Sequence, residues 1–141
     1  MQLSDYLGPT IAGLIFIAIM SRVREAVRLP LNAVLVIGAS GVYMSGGFGL
    51  WEVAYAMLAG PVLGYFALRS YYVIGVGWLL HATWDILHHL YGNPIWPFMP
   101  SSSVGCLIFD TVIGVWFLAG AKSPFRTSAQ ERPAAVNARG A

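Results

Sequence analysis

The sequence predicts an all-α protein, a polytopic membrane bundle of five transmembrane helices. Three observations support this prediction. Of the 141 residues, 57% are apolar and only 10% are charged, whereas soluble domains carry about 25% charged residues. The mean hydropathy is +0.68. The chain also divides at its charges and its Gly/Pro clusters into five apolar stretches of helical length. An ordinary water-soluble globule and a disordered polar chain are both excluded.

Charge and cysteine usage remove several classes of function. The formal net charge is only +2 and the eight basic residues form no dense cluster, so nucleic acid is not an expected partner. The single cysteine, Cys106, excludes an intramolecular disulfide and a cysteine-cluster metal site. The first apolar stretch is followed, not preceded, by Arg22, Arg24 and Arg28. In a cleaved signal peptide the basic residues precede the apolar stretch. We therefore expect this stretch to remain in the mature protein as the first span.

Five spans follow from the length that a bilayer requires, roughly 20 mostly apolar residues per helix. The predicted spans are residues 6–21, 31–46, 50–68, 71–91 and 103–121. Together they form one transmembrane domain, residues 1–121, and residues 122–141 are predicted to be a flexible cytoplasmic tail because they are polar and lack periodicity. The first two spans are short. Glycines predict unwinding at the outer end of the second, and Pro61 predicts a kink in the third.

The distribution of charge predicts one orientation. All eight Lys and Arg residues fall in the segment 22–28, at Arg69 or after residue 121, which a five-span model places on one side. The opposite side holds Asp5 and the loops 46–49 and 92–102, without Lys or Arg. By the positive-inside rule the N-terminus lies outside and the C-terminus in the cytoplasm. We therefore expect a multi-pass protein of the cell inner membrane, with the lipid bilayer as its surroundings.

The fourth predicted span carries a polar stripe. His81, Asp85 and His88 are spaced i, i+4 and i+7, which places them within an arc of roughly 60° on one helix face, and His89 flanks them. Ionisable groups at membrane depth are costly and are treated by default as functional. The stripe is therefore expected to face the interior of the bundle.

Other spans bring further polar groups to the same outer half. Asp110 lies near the bilayer centre in the fifth span, and Cys106, one turn above it, is predicted to be a small packing residue. We expect two imidazoles and two carboxyl groups to meet in a water-poor pocket that opens outward and is built by spans three, four and five. The predicted supporting residues are Glu52, Tyr55, Trp78, Trp84 and His89.

A metal site is one interpretation of this cluster. Imidazole and carboxylate groups spaced i, i+4 can bind a divalent transition metal, Zn²⁺ or Fe²⁺, and such a metal would activate water or oxygen near a lipid-like substrate. The candidate ligands are His81, Asp85, His88 and Asp110. Two observations weaken this interpretation: the spacing matches no standard metalloprotease motif, and the chain has only three histidines.

Metal-free proton chemistry is the second interpretation, in an enzyme that acts on a lipid or isoprenoid substrate. Asp85 would donate the proton, His81 and His88 would act as bases, and Asp110 would orient the reacting group. Tryptophan rings beside the stripe would stabilise a carbocation on an isoprenoid or sterol double bond.

Two interpretations without catalysis stay open. In the first, the polar groups stabilise helix packing in a non-catalytic subunit, as a homo-oligomer or within a larger membrane complex. In the second, they belong to a proton or ion pathway. The lack of Asp and Glu deep in the inner half of the spans argues against a continuous pore.

The segment 91–103 is too rich in proline for a regular helix and too apolar for open water. We expect a rigid cap above the cluster that serves either as a lid or as an interfacial anchor. After Pro100, one of the serines 101–103 is predicted to be the N-cap of the fifth helix.

Two motifs carry a resemblance to a known family. The first is His81-Ala82-Thr83-Trp84-Asp85 with His88-His89, and the second runs from Gly92-Asn93-Pro94 through Pro100-Ser101-Ser102-Ser103 to Asp110. Over about residues 50–120 the chain resembles an uncharacterised family of small bacterial integral membrane proteins, a domain of unknown function. The resemblance implies a membrane location and marks the same residues, but it implies no activity.

Overall fold

The computed structural model describes residues 2–125, and this part of the chain is all-α without β-strands. Its five helices are α1, Ser4–Met20, α2, Glu25–Ser40, α3, Leu50–Ala67, α4, Tyr71–Tyr91, and α5, Ser102–Leu118. The prediction of an all-α, five-helix protein is confirmed. Most of the predicted tail lies outside the described residues.

α2 begins six residues before the predicted second span. Pro30 lies inside the helix and does not start it, because a proline removes only one backbone hydrogen bond and neighbouring groups can compensate for it. The glycine-containing end of this segment tightens into a 3₁₀ turn, Gly41–Ser45. The turn places Tyr43 against α4, where its hydroxyl group lies 3.3 Å from the His81 carbonyl oxygen.

α3 contains a wide turn where the sequence predicts a kink. The helix is α-helical over Leu50–Ala54, π-helical over Tyr55–Ala59 and α-helical again from Gly60. Pro61 has no N–H group to donate to the carbonyl four residues earlier, so a locally widened turn before it is the expected response. Turns of this kind often lie at functional sites, and Tyr55 in this turn contacts the polar stripe of α4.

Close helix packing depends on small residues. α4 packs mainly against α5, α1 packs against α5, and α2 packs against α3. A Cβ atom on Gly75 of α4 would lie 2.8 Å from the backbone nitrogen of Leu118 and 2.9 Å from the Gly114 carbonyl oxygen. These two helices therefore approach each other with little side chain between them, as is common for apolar helices in membranes.

The apolar core lies toward the end of the bundle where α1 joins α2. Its buried residues are Ala33, Val36, Ala67, Ile74, Trp78, Ile113, Phe117 and Ala121. Large apolar side chains are also exposed on all five helices, for example Ile11, Val34, Val62, Ile86 and Val115.

Two helical segments, Glu25–Tyr43 and Leu50–Ala67, are long and apolar enough to cross a membrane by length and composition. Ser4–Met20 and Ser102–Leu118 are apolar but have only 17 residues each. Tyr71–Tyr91 has 21 residues, and its histidines and Asp85 lower its hydropathy. The helix that carries the polar stripe is therefore less apolar than the two segments named above.

The two ends of the bundle differ in charge. At one end, Arg22 lies 4.8 Å from the centre of the Phe125 ring, and the Arg28 Nε group donates to the Tyr71 hydroxyl at 2.9 Å. These contacts bring the α1–α2 link, the start of α4 and the segment after α5 together. At the opposite end, Gly47 packs against Asn93 in the loop that follows α4.

Candidate functional site

The polar stripe of α4 is buried over its full length. The exposed fractions of His81, Asp85 and His88 are 0%, 0% and 1%. Their helical spacing places them on one face, as the sequence indicates. Each of the three side chains nevertheless bonds to a different partner, so the stripe divides into separate interactions.

His81 is bonded through both ring nitrogens. Its Nε2 lies 2.9 Å from the Val36 carbonyl oxygen, which can only accept, so Nε2 carries the hydrogen and donates. Its Nδ1 lies 3.1 Å from the Tyr55 hydroxyl, which donates to it when the ring is neutral. Both ring nitrogens are therefore occupied, and neither is left for a ligand.

Asp85 is only half bonded. Its Oδ1 accepts a hydrogen bond of 2.8 Å from the hydroxyl of Tyr43. Its Oδ2 is buried and has no hydrogen-bond partner among the described residues. A buried polar atom without a partner is rare and costly, and it often marks a functional site. Asp85 is therefore the residue of the stripe that has hydrogen-bonding capacity left.

His88 forms a closed pair with Glu52 of α3. The His88 Nε2 and Glu52 Oε1 atoms are 2.8 Å apart. Glu52 also accepts from the indole nitrogen of Trp84 and from the backbone nitrogen of Phe48, both at 3.2 Å. The His88 Nδ1 lies 3.1 Å from the Trp84 carbonyl oxygen. Since every polar atom of the pair is occupied, this pair joins α3 to α4 and leaves nothing for a substrate.

A cavity of about 400 Å³ lies on the other side of Asp85. Its wall contains both carboxyl groups predicted for the site, Asp85 and Asp110, together with Tyr43, Trp78 and Cys106. The remaining lining residues are Pro9, Ala12, Ala39, Val42, Ile95, Trp96, Met99, Ser102, Gly105 and Phe109. The site is therefore an apolar chamber with two carboxyl groups in its wall.

The composition of this wall corrects the expected pocket. Spans three, four and five were predicted to build the pocket. The cavity is instead lined by α1, the end of α2, α4, the loop between α4 and α5, and α5. α3 lies on the opposite side, where Glu52 and Tyr55 bind the histidines. His81 and His88 do not line the cavity, so the four predicted groups do not share one chamber. The pattern of polar residues could not reveal α1, because Pro9 and Ala12 carry no polar side chain.

The donor set does not fit a transition metal. No three His, Cys, Asp or Glu side chains within residues 2–125 are grouped so that they could hold an ion. His81 and His88 already use their ring nitrogens in hydrogen bonds. Asp85 and Asp110 alone fall short of the three or four protein ligands that zinc sites use.

The loop after α4 closes one side of the cavity. The backbone nitrogen of Trp96 donates to the Ser102 hydroxyl at 3.0 Å, and that of Ile95 to the Ser103 hydroxyl at 3.4 Å. A serine was expected to cap α5, but Ser101 makes no side-chain cap bond and the next two hydroxyls bind the loop instead. Three loop residues, Ile95, Trp96 and Met99, line the cavity.

The remaining predicted residues lie around this centre. Trp78 lines the cavity, whereas Trp84 stacks on Tyr55 with ring centroids 4.7 Å apart. His89 is exposed in a separate polar cleft with Gln2, Asp5, Pro100 and Ser101. Tyr43 was not among the predicted site residues, although a tyrosine next to the glycines at the end of the second span was the available signal.

Comparisons with known proteins give one match, which is to a family model. The chain matches no curated protein and no solved structure. A family model, described as a family of unknown function, matches residues 4–123, which include all five helices and the whole cavity. The match extends well beyond the region 50–120 that carried the resemblance. The chain therefore belongs to the family of unknown function DUF6010.

Proposed function

We propose that this protein is an integral membrane enzyme that acts on a lipid or isoprenoid substrate by proton transfer. The observation that carries the proposal is the apolar cavity with Asp85 and Asp110 in its wall. All five helices cross the inner membrane, with the N-terminus outside and the C-terminus in the cytoplasm, so that the cavity opens in the outer half of the bilayer.

The surface and the charge of the bundle support the membrane location. Large apolar side chains are exposed on every helix, as lipid-facing surfaces require. The described basic residues occur in the α1–α2 link, at the start of α2, between α3 and α4, and directly after α5: Arg22, Arg24, Arg28, Arg69 and Lys122. A single basic end is typical of the cytoplasmic side.

The size and lining of the cavity support a lipid-like substrate. Its volume of about 400 Å³ lies in the range of small-molecule sites, about 300–1,000 Å³. When one of two carboxyl groups in such a site is protonated and the other is ionised, the first can donate a proton while the second accepts one. On an unsaturated chain, one carboxyl group would deliver a proton to a double-bond carbon. The other would remove a proton from a neighbouring carbon, and the double bond would move.

Tyr43 and His81 act as positioning residues in this proposal. The Tyr43 hydroxyl donates to Asp85, and the Tyr43 ring stacks on the His81 ring with centroids 5.6 Å apart. Since Tyr55 and the Val36 carbonyl oxygen hold the His81 ring in place, the orientation of Asp85 depends on a chain of fixed partners. Preorganised groups of this kind lower the reorganisation that a reaction needs.

One observation favours the non-catalytic alternative for part of the cluster. The buried pair of Glu52 and His88 is fully hydrogen-bonded and lies outside the cavity. Its geometry suits the joining of two helices. We assign this packing role to the pair and reserve the chemistry for the carboxyl groups of the cavity.

The proposal is tested by deuterium transfer from solvent. Membranes containing the wild-type chain, Asp85→Asn or Asp110→Asn are incubated in D₂O, and their extracted lipids are analysed by mass spectrometry for carbon-bound deuterium. We expect one lipid class to gain deuterium with the wild-type chain and to gain none above background with either variant. The thermal midpoint of each purified variant should stay close to that of the wild type.

Asp5→Asn is the matched control, because it makes the same chemical change outside the cavity. It should leave the deuterium transfer at the wild-type level. Equal labelling with all four chains would remove the enzyme proposal. Unfolding of Asp85→Asn and Asp110→Asn would instead assign these carboxyl groups to packing.

A further inference from the structure

The cavity wall holds two buried polar atoms that have no partner among the described residues. They are the indole Nε1 of Trp78 and the Oδ2 of Asp85. Both residues line the cavity, and their exposed fractions are 6% and 0%. They lie seven residues apart on α4, two helical turns along the same face. Both unpartnered atoms therefore belong to residues that line the apolar chamber.

These two atoms require different hydrogen-bond partners. The indole N–H can only donate, so Trp78 needs an acceptor. The free carboxyl oxygen of Asp85 needs a donor when the group is ionised and can itself donate when it is protonated. Leaving such groups buried without partners is unfavourable, and a ligand that bonds to them would remove this cost.

The charges of the residues that line the cavity limit which head group the ligand can carry. No Lys or Arg is present among the described residues that line the cavity, and two carboxyl groups are. A phosphate or carboxylate head group would thus meet like charge without a compensating cation. An ammonium group would suit the carboxyl groups, but it has no lone pair to accept the hydrogen of Trp78.

A hydroxyl group is uncharged, can accept a hydrogen bond from the indole of Trp78 and can donate one to the carboxyl group of Asp85. We infer that the cavity binds a lipid alcohol, an apolar chain whose hydroxyl end lies against Trp78 and Asp85. This inference rests on the proposed function and names the substrate class of the same site. The apolar chain of the lipid would lie along the apolar part of the cavity wall, beside Phe109 and the loop residue Ile95.

A set of probes with one isoprenoid chain and different ends tests the inference. The wild-type protein is placed in phosphatidylcholine nanodiscs, and binding of tritiated farnesol is measured by scintillation proximity. The competitors are unlabelled farnesol, farnesylamine, farnesoic acid and the hydrocarbon farnesene. We expect saturable binding of farnesol and competition at least about tenfold weaker from the other three, as the loss of one or two hydrogen bonds predicts.

Trp78→Phe removes the donor and keeps an aromatic ring of similar shape. It should weaken farnesol about tenfold and leave competition by farnesene unchanged, which also shows that the variant is folded. Trp116→Phe is the matched control, since its indole nitrogen bonds to the Lys122 carbonyl oxygen away from the cavity. It should bind farnesol as the wild type does.

The outcomes separate this inference from the proposed function. If farnesene, farnesylamine or farnesoic acid competes as well as farnesol, or if Trp78→Phe leaves farnesol binding unchanged, the alcohol assignment is overturned while the cavity remains a lipid site. If none of the four molecules binds saturably to the wild-type protein, the proposed lipid site is overturned together with the inference.

Discussion

His81 and His88 lie on the same face of α4, yet neither has a ring nitrogen left for a ligand. His81 bonds to Tyr55 and to the backbone of α2, and His88 bonds to Glu52 and to its own helix. Asp85, between them, keeps one free oxygen that no described residue binds. Three residues that look equivalent in the sequence therefore differ in their chemistry, because their partners come from distant segments of the chain.

A glycine beside the His88–Glu52 pair offers a test at this scale. A Cβ atom on Gly46 would overlap the His88 ring and the Glu52 carboxyl group. Gly46→Ala should therefore lower the free energy of unfolding by about 1–3 kcal/mol, as expected for overpacking. Unfolding in mixed detergent micelles measures this change.

Gly38→Ala is the control for that substitution. Nothing lies within 4 Å of a Cβ atom there, and the position is inside α2. Its free energy of unfolding should stay constant or rise by up to about 1 kcal/mol, because alanine favours the helix. Equal losses in the two variants would show that the pair does not constrain Gly46.

At the scale of the elements, helix packing depends on where small residues meet large ones. Gly64 of α3 lies directly against the side chain of Ile37 on α2, so closely that an added Cβ atom would overlap it. The π-helical turn earlier in α3 lies between this contact and the end of the helix that carries Glu52. The same helix thus packs closely at one end and supplies polar partners at the other.

Gly64→Ala should destabilise the protein by about 1–3 kcal/mol, and the double variant with Ile37→Ala should lose less than the sum of the two single changes. The side chain removed at Ile37 is the one that the new methyl group would meet. A double-mutant cycle of unfolding free energies measures the coupling, which should exceed about 0.5 kcal/mol. Additive losses would contradict this packing.

The elements were predictable from the sequence, and their partners were not. Charges and Gly/Pro clusters divide the chain into five helices, as the structure does, and Tyr71–Tyr91 coincides with the predicted segment 71–91. α2 departs most from its prediction, since it begins at Glu25 and continues through Pro30, whereas the predicted span begins at residue 31. The cavity was placed between the wrong helices, since a pattern of polar residues cannot detect a wall made of Pro9 and Ala12.

For the whole molecule, the two ends of the bundle carry different groups. One end has the contacts of Arg22 and Arg28, and the other has the loops around Gly47 and Asn93. If the bundle spans a bilayer in the proposed orientation, these ends face opposite compartments. The cavity lies toward the less basic end, where the loop of Ile95 and Trp96 covers it.

Cysteine labelling tests that orientation. In a Cys106→Ser background, a cysteine is introduced at the exposed positions Asn93 or Arg69, and spheroplasts of the host cell are treated with a membrane-impermeant maleimide. Asn93→Cys should be labelled in intact spheroplasts, and Arg69→Cys only after lysis. The reverse pattern would invert the topology, and labelling of both positions without lysis would contradict a membrane-spanning bundle.

The central claim is that the chamber beside Asp85 and Asp110 holds a lipid-like molecule. Native mass spectrometry of the protein released from nanodiscs measures this occupancy directly. Ala12→Phe adds volume inside the cavity and leaves both aspartates in the sequence, and Ile11→Phe adds a ring at the exposed neighbouring position. We predict one retained lipid on the wild-type protein and on Ile11→Phe, and none on Ala12→Phe. An adduct that persists equally on Ala12→Phe, or a wild-type protein that retains no lipid, would contradict the claim.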